Sequence, residues 1–444
     1  MLNPVAHRIS AMTAKEELKR RVLDAIDARA DEIIGVGEAI SRSPELGFKE
    51  FKTAELVERK YEEMGWSYKN KIALTGSKAY LKRKGRRPTV GIIGELDTVR
   101  CPDHLDCDPI TGAVHACGHN AQMAAMLGAG FGLAEVIKEL DGNVAMVTVP
   151  AEEYLEIDYR NSLREKGLLE FFGGKQEFIR LGALADVDIS IGSHTDSEIK
   201  GKLSVGGSNN GFVGKMVRYV GLEAHAGGAP HKGINALNAA MLGLMGIHAQ
   251  RETFREEDTI RVHPIVTKGG EIVNNVPADV RMESYVRGKT VEAIKEANEK
   301  VNRALRAGAM AVGAQVEIND LPGYMPYIKD AALDKVLKAN AVALVGEEQI
   351  KAKEHSTGST DLGDISCIMP TTSIGMGGVT GTGHGRTFKI VDKEVAYILP
   401  AKVMALICVD LLCDKAKLAK EIIGGFKPTI PPGGYVEFMK GLVA

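Results

Sequence analysis

Residues 89–97, Thr-Val-Gly-Ile-Ile-Gly-Glu-Leu-Asp, and residues 143–153, Asn-Val-Ala-Met-Val-Thr-Val-Pro-Ala-Glu-Glu, share one form: a short apolar run that leads into acidic side chains. Six or seven residues rich in Val and Ile, apolar at odd and even positions alike, read as a strand buried on both faces of a sheet. Between them, residues 120–140 carry Met123, Leu127, Phe131, Ala134 and Ile137 near helical spacing. Two further runs, 187–192 and 371–376, repeat the strand pattern; one leads into His194 and the other into a glycine loop ending at His384. Strand–helix alternation of this kind predicts an α/β fold built on a doubly wound, mostly parallel sheet.

Outward from that centre, residues 13–42 (Leu18, Val22, Ile26, Ile33, Ile40) and 53–64 (Ala54, Val57, Tyr61, Met64) have helical periodicity. From about 212 to 322 the rhythm changes. A strand at 214–220, a helix at 234–250, strands at 259–267 and 280–287, a helix at 291–312 and a strand at 315–318 follow in order. That β-α-β-β-α-β succession is ferredoxin-like. It predicts a small domain, 212–322, inserted between two parts of a larger one, 1–211 and 323–444. Gly-rich 205–211 and Pro322-Gly323 are the expected crossings.

The 444 residues, 44% hydrophobic and 26% charged, exclude a disordered or fibrous chain. Lys and Arg number 56 against 58 Asp and Glu, a net charge of −2, so no global field recruits nucleic acid or an anionic membrane. The densest basic stretch, Lys82 to Arg87, reads as a solvated hairpin tip. No apolar run is expected to reach the roughly 18 residues of a membrane span, and the first residues show no apolar signal core. Six irregularly spaced cysteines do not resemble a secreted disulfide framework. The expected location is the cytoplasm.

In open α/β sheets, ligands bind beyond the carboxyl ends of the strands. Glu95, Asp97, Glu152, Glu153, His194 and His384 all follow predicted strands. The segment His115-Ala116-Cys117-Gly118-His119-Asn120 precedes the long helix, with Asn120 suited to an N-cap. A thiol placed there has its thiolate favoured by the helix dipole. One such Cys or His ordinarily packs or caps, but Cys117, His119, Glu153, His194 and His384 together form a sulfur, nitrogen and oxygen set suited to zinc or similar ions. Five donors exceed one tetrahedral ion and suit two ions sharing a bridge. Of the pair Glu152-Glu153, one carboxylate can ligate while the other moves a proton. Asp97 is placed to hydrogen-bond a ligand histidine. No G-x-S-x-G, H-E-x-x-H or G-x-x-x-x-G-K-[ST] motif is present. Two alternatives stay open at this point: a Cys117 nucleophile acting without metal, and a zinc knuckle at Cys101-x-x-His104-x-x-Cys107.

At His115 to Asn120, with Ala151-Glu152-Glu153 and Gly192-Ser193-His194, the chain resembles the aminoacylase and carboxypeptidase-G-like dinuclear metallopeptidase superfamily. It looks closest to the amidohydrolase branch whose motif is His-Ala-Cys-Gly-His-Asp. Ser359-Thr360-Asp361-Leu362-Gly363-Asp364-Ile365-Ser366 and Gly381-Thr382-Gly383-His384 are similar to the p-aminobenzoyl-glutamate hydrolase B-subunit group. The resemblance implies that Cys117 bridges two divalent ions, His119 and His194 holding one, Glu153 and His384 the other. Zinc or manganese is expected, with cobalt and nickel compatible with the donors. It implies Glu152 as general base, Asp97 as support for the ligands, and His225 (in Glu223-Ala224-His225-Ala226-Gly227) as a catalytic group stabilising the oxyanion, often across a dimer. Asn275 and Arg287 resemble substrate-binding positions, Arg287 facing a carboxylate.

The implied function is metal-dependent hydrolysis of the amide bond of an N-acyl amino acid, p-aminobenzoyl-glutamate-like, by a homodimer paired through the inserted lid. A dipeptidase of the same superfamily is the alternative, and a non-catalytic binding protein on this scaffold is the alternative from another class. Three departures stand out: Asn120 where the branch has Asp, Glu95 where many relatives have Asp, and Gly385-Arg386 after His384.

Overall fold

The periodic stretch at 13–42 is two helices, α1 (Ala14–Ala28) and α2 (Ala30–Ser41), separated at Arg29. Thr13 and Glu16 form a reciprocal capping box at the start of α1, satisfying free N–H groups of the first turn. The computed structural model describes residues 13–82, 87–431 and 433–443. Residues 83–86, within the basic stretch read as a hairpin tip, lie outside the described residues.

After α3 (Phe51–Glu63) the chain forms an antiparallel hairpin, β1 (Ser67–Ile72) and β2 (Gly76–Tyr80), and then β3 (Thr89–Glu95). Helix α4 (His119–Ala134) links β3 to β4 (Asn143–Val149), and α5 (Gly174–Arg180) precedes β5 (Ile189–Thr195). The long helix expected over 120–140 ends at Ala134 and resumes only as a single 3-10 turn, Ile137–Glu139. The strand expected at 187–192 starts at Ile189 and runs to Thr195, so His194 lies within the strand rather than beyond it.

The Gly-rich stretch read as a crossing is mostly strand. β6 (Leu203–Asn209) contains Gly206 and Gly207 in left-handed conformation, and only Asn210 separates it from β7 (Gly211–Val220). A second sheet, with α6 (Ala236–Ala249) and α7 (Val291–Val312) packed on it, occupies residues 211–322. The strand expected at 259–267 is broken into β8 (Arg261–Val262) and β9 (Ile265–Lys268), because Pro264 between them has no N–H to give a ladder. β10 (Asp279–Gly288) and β11 (Gln315–Pro322) complete an antiparallel order β8-β10-β7-β11, with β9 also on β10. That order is the ferredoxin-like one.

The chain then returns through β12 (Tyr327–Ile328), α8 (Ala331–Val345), β13 (Ile350–Ser356), β14 (Thr371–Met376) and α9 (Leu399–Leu412). The nine-stranded sheet runs β1-β2-β4-β3-β5-β14-β6-β12, with β13 beside β6. Its centre, β4-β3-β5-β14, is parallel; the hairpin β1-β2 joins it antiparallel. Helix α4 is buried over nearly its whole length between this sheet and α1, α2 and α9. Gly132 permits the approach of α1, since a Cβ there would lie 2.6 Å from Ile26. The stretch Glu394–Leu412 is long and apolar enough to cross a membrane by composition, although Lys402 and Asp410 interrupt it. Here 94% of its apolar window is buried, as in a core helix.

Candidate metal centre and its cavity

The parallel strands end on one side of the sheet, and their ends carry the site. β3 closes at Glu95 and delivers Asp97, fully buried, two residues on. The Asp97 carboxylate accepts the N–H groups of Glu152 (3.1 Å) and Glu153 (3.0 Å) just past β4. Ala151, at φ 51°, makes the turn, and its N–H donates to buried Glu50 at 2.8 Å. Three carbonyls of the same turn are also held. Tyr324 donates its hydroxyl to the Glu152 carbonyl at 2.5 Å, Arg160 a guanidinium N–H to that of Glu153, and Tyr285 its hydroxyl to that of Tyr154.

Helix α4 begins at His119, after Gly118 at φ 85°. Glycine is needed there twice over: for the left-handed backbone, and because a Cβ would lie 2.2 Å from the Thr195 side chain. His119 Nδ1 donates to the Asp97 carbonyl at 2.9 Å, which turns Nε2 toward Cys117 and Glu95. Cys117 Sγ lies 3.2 Å from His194 Nε2 and 3.3 Å from His384 Nε2. His384 Nε2 is in turn 3.1 Å from Glu153 Oε1. Two sets of three donors therefore form, Cys117–His119–His194 and Cys117–Glu153–His384, each with its atoms within 4.8 Å of one another. Cys117 belongs to both.

The donors fit divalent ions. His119 Nε2 and Glu153 Oε1 are buried inside these sets without a well-directed hydrogen bond, their close neighbours at 3.1 Å being the charged groups Glu95 and His384, an arrangement that costs free energy unless something else satisfies them. Burial and Glu153 push the Cys117 thiol up, but His194 and His119 outweigh them and bring it to about 6. Burial likewise raises the Glu153 carboxyl, and His384 overrides it, to about 2. His384 is held up at about 11 by Cys117 and Glu153. Glu152 is different: burial, with Glu95 and Glu153 beside it, holds its carboxyl well above the ordinary range. Its Oε2 lies 4.0 Å from His119 Nε2, so it borders the donors without belonging to either shared set. A third set of close donors, Glu95–His119–Glu152, lies on that side.

Behind Glu95 stands a fully buried ion network that sequence reasoning missed. Lys175, at the start of α5, reaches Glu95 at 2.5 Å and also pairs with Asp361. Gln122 Nε2 donates to Glu95 Oε2 at 2.9 Å and to the Ser193 carbonyl at 2.6 Å. Burial raises Glu95, yet Lys175, His119 and His194 keep it ionised, near 2. Nothing in the local pattern around Lys175 marks it, and Asp361, although it lies in the 359–366 segment that carries the resemblance, has no role legible there, because tertiary packing alone brings the two to the strand end.

A cavity of about 700 Å³ opens over the donors, and Cys117, Glu152, Glu153, His194 and His384 line it. Arg287, from β10, lines it too, donating to Ser359 Oγ at 2.8 Å and packing against Phe212 and Tyr285. His225 and Asn275 do not line the cavity. They pair with each other by a backbone bridge on an exposed part of the lid. His225 Nδ1 accepts the N–H groups of Gly227 and Gly228, which leaves Nε2 to carry the proton outward. Cys101, His104 and Cys107 do not form one of the converging donor sets among the described residues: His104 Nε2 meets the Phe388 carbonyl at 2.9 Å, Nδ1 accepts from Asp106, and Cys107 bonds to the Pro102 carbonyl. His115 is buried with both ring nitrogens unpartnered, and burial lowers it to about 3.

Residues 91–403 match the sequence profile of Peptidase family M20/M25/M40. IAA-amino acid hydrolase ILR1-like 4 of Arabidopsis thaliana is 26% identical over 358 residues, 77% of this chain and 76% of that protein. Xaa-Arg dipeptidase of Mus musculus is 25% identical over 387 residues, 83% of each. In fold, the chain is similar to a dinuclear metal binding peptidase of Bacillus subtilis (TM-score 0.64, 22% identity, 87% of this chain and 99% of that one). It is also similar to an aminobenzoyl-glutamate utilization protein of Klebsiella pneumoniae (TM-score 0.67, 17% identity, 88% and 98%).

Proposed function

The chain belongs to Peptidase family M20/M25/M40 and is a hydrolase, and on that premise we propose that it cleaves the amide bond of an N-acyl amino acid, with a p-aminobenzoyl-glutamate-like conjugate as substrate. The observation that carries this reading is the sharing of Cys117 between two three-donor sets, with Glu152 at their border. Cys117, His119 and His194 would hold one divalent ion, and Cys117, Glu153 and His384 a second, zinc or manganese in this reading. Such ions supply Lewis acidity that activates water and polarises a carbonyl.

The chain's own residues do the rest. Glu152 takes the proton of the attacking water and returns it to the leaving amine. Asp97 fixes His119 through its carbonyl and the Glu152-Glu153 turn through its carboxylate. Arg287 receives the carboxylate of the amino-acid half. His225 and Asn275 serve the cavity of a second copy, which agrees with their place off their own. Pairing through the lid is supported by Met241 and Met245 on α6, 55% and 65% exposed, and by Ile265 on the edge strand β9, 60% exposed. The cytoplasm is the compartment we infer, supported by six free thiols.

Release of free amine from p-aminobenzoyl-glutamate, N-acetyl and indole-acetyl amino acids and dipeptides, measured on ion-reconstituted protein, tests the reading. Turnover of an N-acyl amino acid well above that of any dipeptide supports it. Turnover of dipeptides alone would convert it to a dipeptidase, and none at all would overturn it.

A further inference from the structure

Beyond the metal donors, the cavity wall carries four cationic side chains, Arg261, Arg287, Lys329 and Lys353, against two acidic ones, Glu152 beside the donors and Glu354. Lys353 has a carboxylate of its own, Asp196 at 2.9 Å. Lys329 is in a different position. Its side chain is only 10% exposed, and its Nζ donates to the Ser373 carbonyl at 2.6 Å. The nearest carboxylate, Asp334, is 3.8 Å away, past hydrogen-bond length, and already accepts the Thr372 hydroxyl at 2.9 Å. An ammonium has three N–H donors, and burying one with a single neutral acceptor is costly.

We propose that Lys329 forms a second anion subsite in this cavity, so that the substrate carries two anionic groups: a carboxylate at Arg287 and a second carboxylate at Lys329. This rests on the amide-hydrolase reading for the identity of the first carboxylate.

The surroundings suit such a group. Gly206 and Gly207, at φ 78° and 81°, line the cavity without side chains where β6 passes β13. A Cβ at Gly207 would come 2.8 Å from the Glu354 carbonyl, so the position stays bare. Tyr327, whose hydroxyl meets Ser373 Oγ at 3.2 Å, and Ser373 itself add polar groups on the same wall. Burial, opposed in part by Asp334, lowers the Lys329 ammonium to about 8, so it still carries its charge at neutral pH. A bound carboxylate would supply the missing acceptor, and a charge-assisted hydrogen bond of that kind is the stronger sort.

Calorimetric titration of the full-length protein with N-benzyl-glutamate and N-benzyl-glutamine tests this, since neither amine can be hydrolysed and the two differ in one carboxylate. The wild-type protein should bind the glutamate compound at least about tenfold more tightly. Lys329→Gln should bring that ratio to about twofold, and Lys329→Arg should restore most of it. A wild-type ratio near one overturns the proposal without any variant, as does an unchanged ratio in Lys329→Gln. Inorganic phosphate is the control: binding as tight as the glutamate compound and equally dependent on Lys329 would assign the subsite to free anions and overturn the substrate claim. A Lys329-dependent preference without cleavage of N-benzoyl-glutamate would support the subsite and sink the hydrolase reading instead.

Discussion

The carboxylate of Asp97 accepts the backbone N–H of Glu152 at 3.1 Å and that of Glu153 at 3.0 Å, while its own carbonyl accepts His119 Nδ1 at 2.9 Å. One buried residue therefore sets the turn that carries the proposed base and the orientation of a proposed ligand. Asp97→Asn would turn an amide NH2 against one of two backbone N–H groups. Turnover should fall about 10- to 100-fold, with the far-UV circular dichroism unchanged. Wild-type turnover in this variant would show that the Asp97 carboxylate does not position the catalytic turn.

Glu152 borders the donors but is needed by neither shared set. Glu152→Gln keeps its size and removes its basicity, so turnover should drop by about 10²–10⁴-fold while elemental analysis finds the same metal content. Full metal with little change in rate would show that another group moves the proton.

Lys175, fully buried, is the shared counter-ion of Glu95 and Asp361. Lys175→Met removes the one cation that Glu95 and Asp361 share. Urea denaturation should show a loss of about 3–5 kcal/mol, the range for breaking a buried pair by removing one partner. A loss below about 1 kcal/mol would mean that the carboxylates find protons or water at little cost.

Asp364 gives a pH signature away from the metal donors. Burial raises its carboxyl from 3.8 to about 8, against the hydrogen bond from Tyr435 at 2.5 Å. Between those values the unfolded chain has released the proton and the folded chain still holds it. Stability from this group is therefore present in acid and is lost as pH rises from about 4 toward 8. Thermal unfolding of Asp364→Asn should lose less between pH 5 and pH 8 than that of the wild type. Parallel losses in both proteins would contradict the assignment.

Strands 143–149 and 371–376 and helix 291–312 were readable to the residue. The strands are apolar on both faces and the helix has a sharp polar face, so local pattern and tertiary demand agree. The hairpin β1–β2 was not, since β1, Ser-Tyr-Lys-Asn-Lys-Ile on a sheet edge, is mostly polar and lacks an apolar run. Nor was β6, whose paired glycines have the composition of a linker and the geometry of a strand. In the site, Glu95, Asp97, Glu152, Glu153 and His194 stood out because each interrupts or follows an apolar run. Lys175, Asp361, Gln122 and Lys329 lie in polar or helical contexts where such residues are common, and only packing between distant segments gives them their partners. The lid residues His225 and Asn275 show the converse: their motif is legible, but one chain alone does not bring them to its cavity.

In this reading the Cys117 thiolate is common to two ion sites. Metal content per chain, measured by elemental analysis after reconstitution with zinc or manganese, tests it most directly. About two equivalents are expected in the wild type, with one lost in His194→Ala and both lost in Cys117→Ala. Two equivalents retained by Cys117→Ala, or no stoichiometric metal in the wild type, would contradict it.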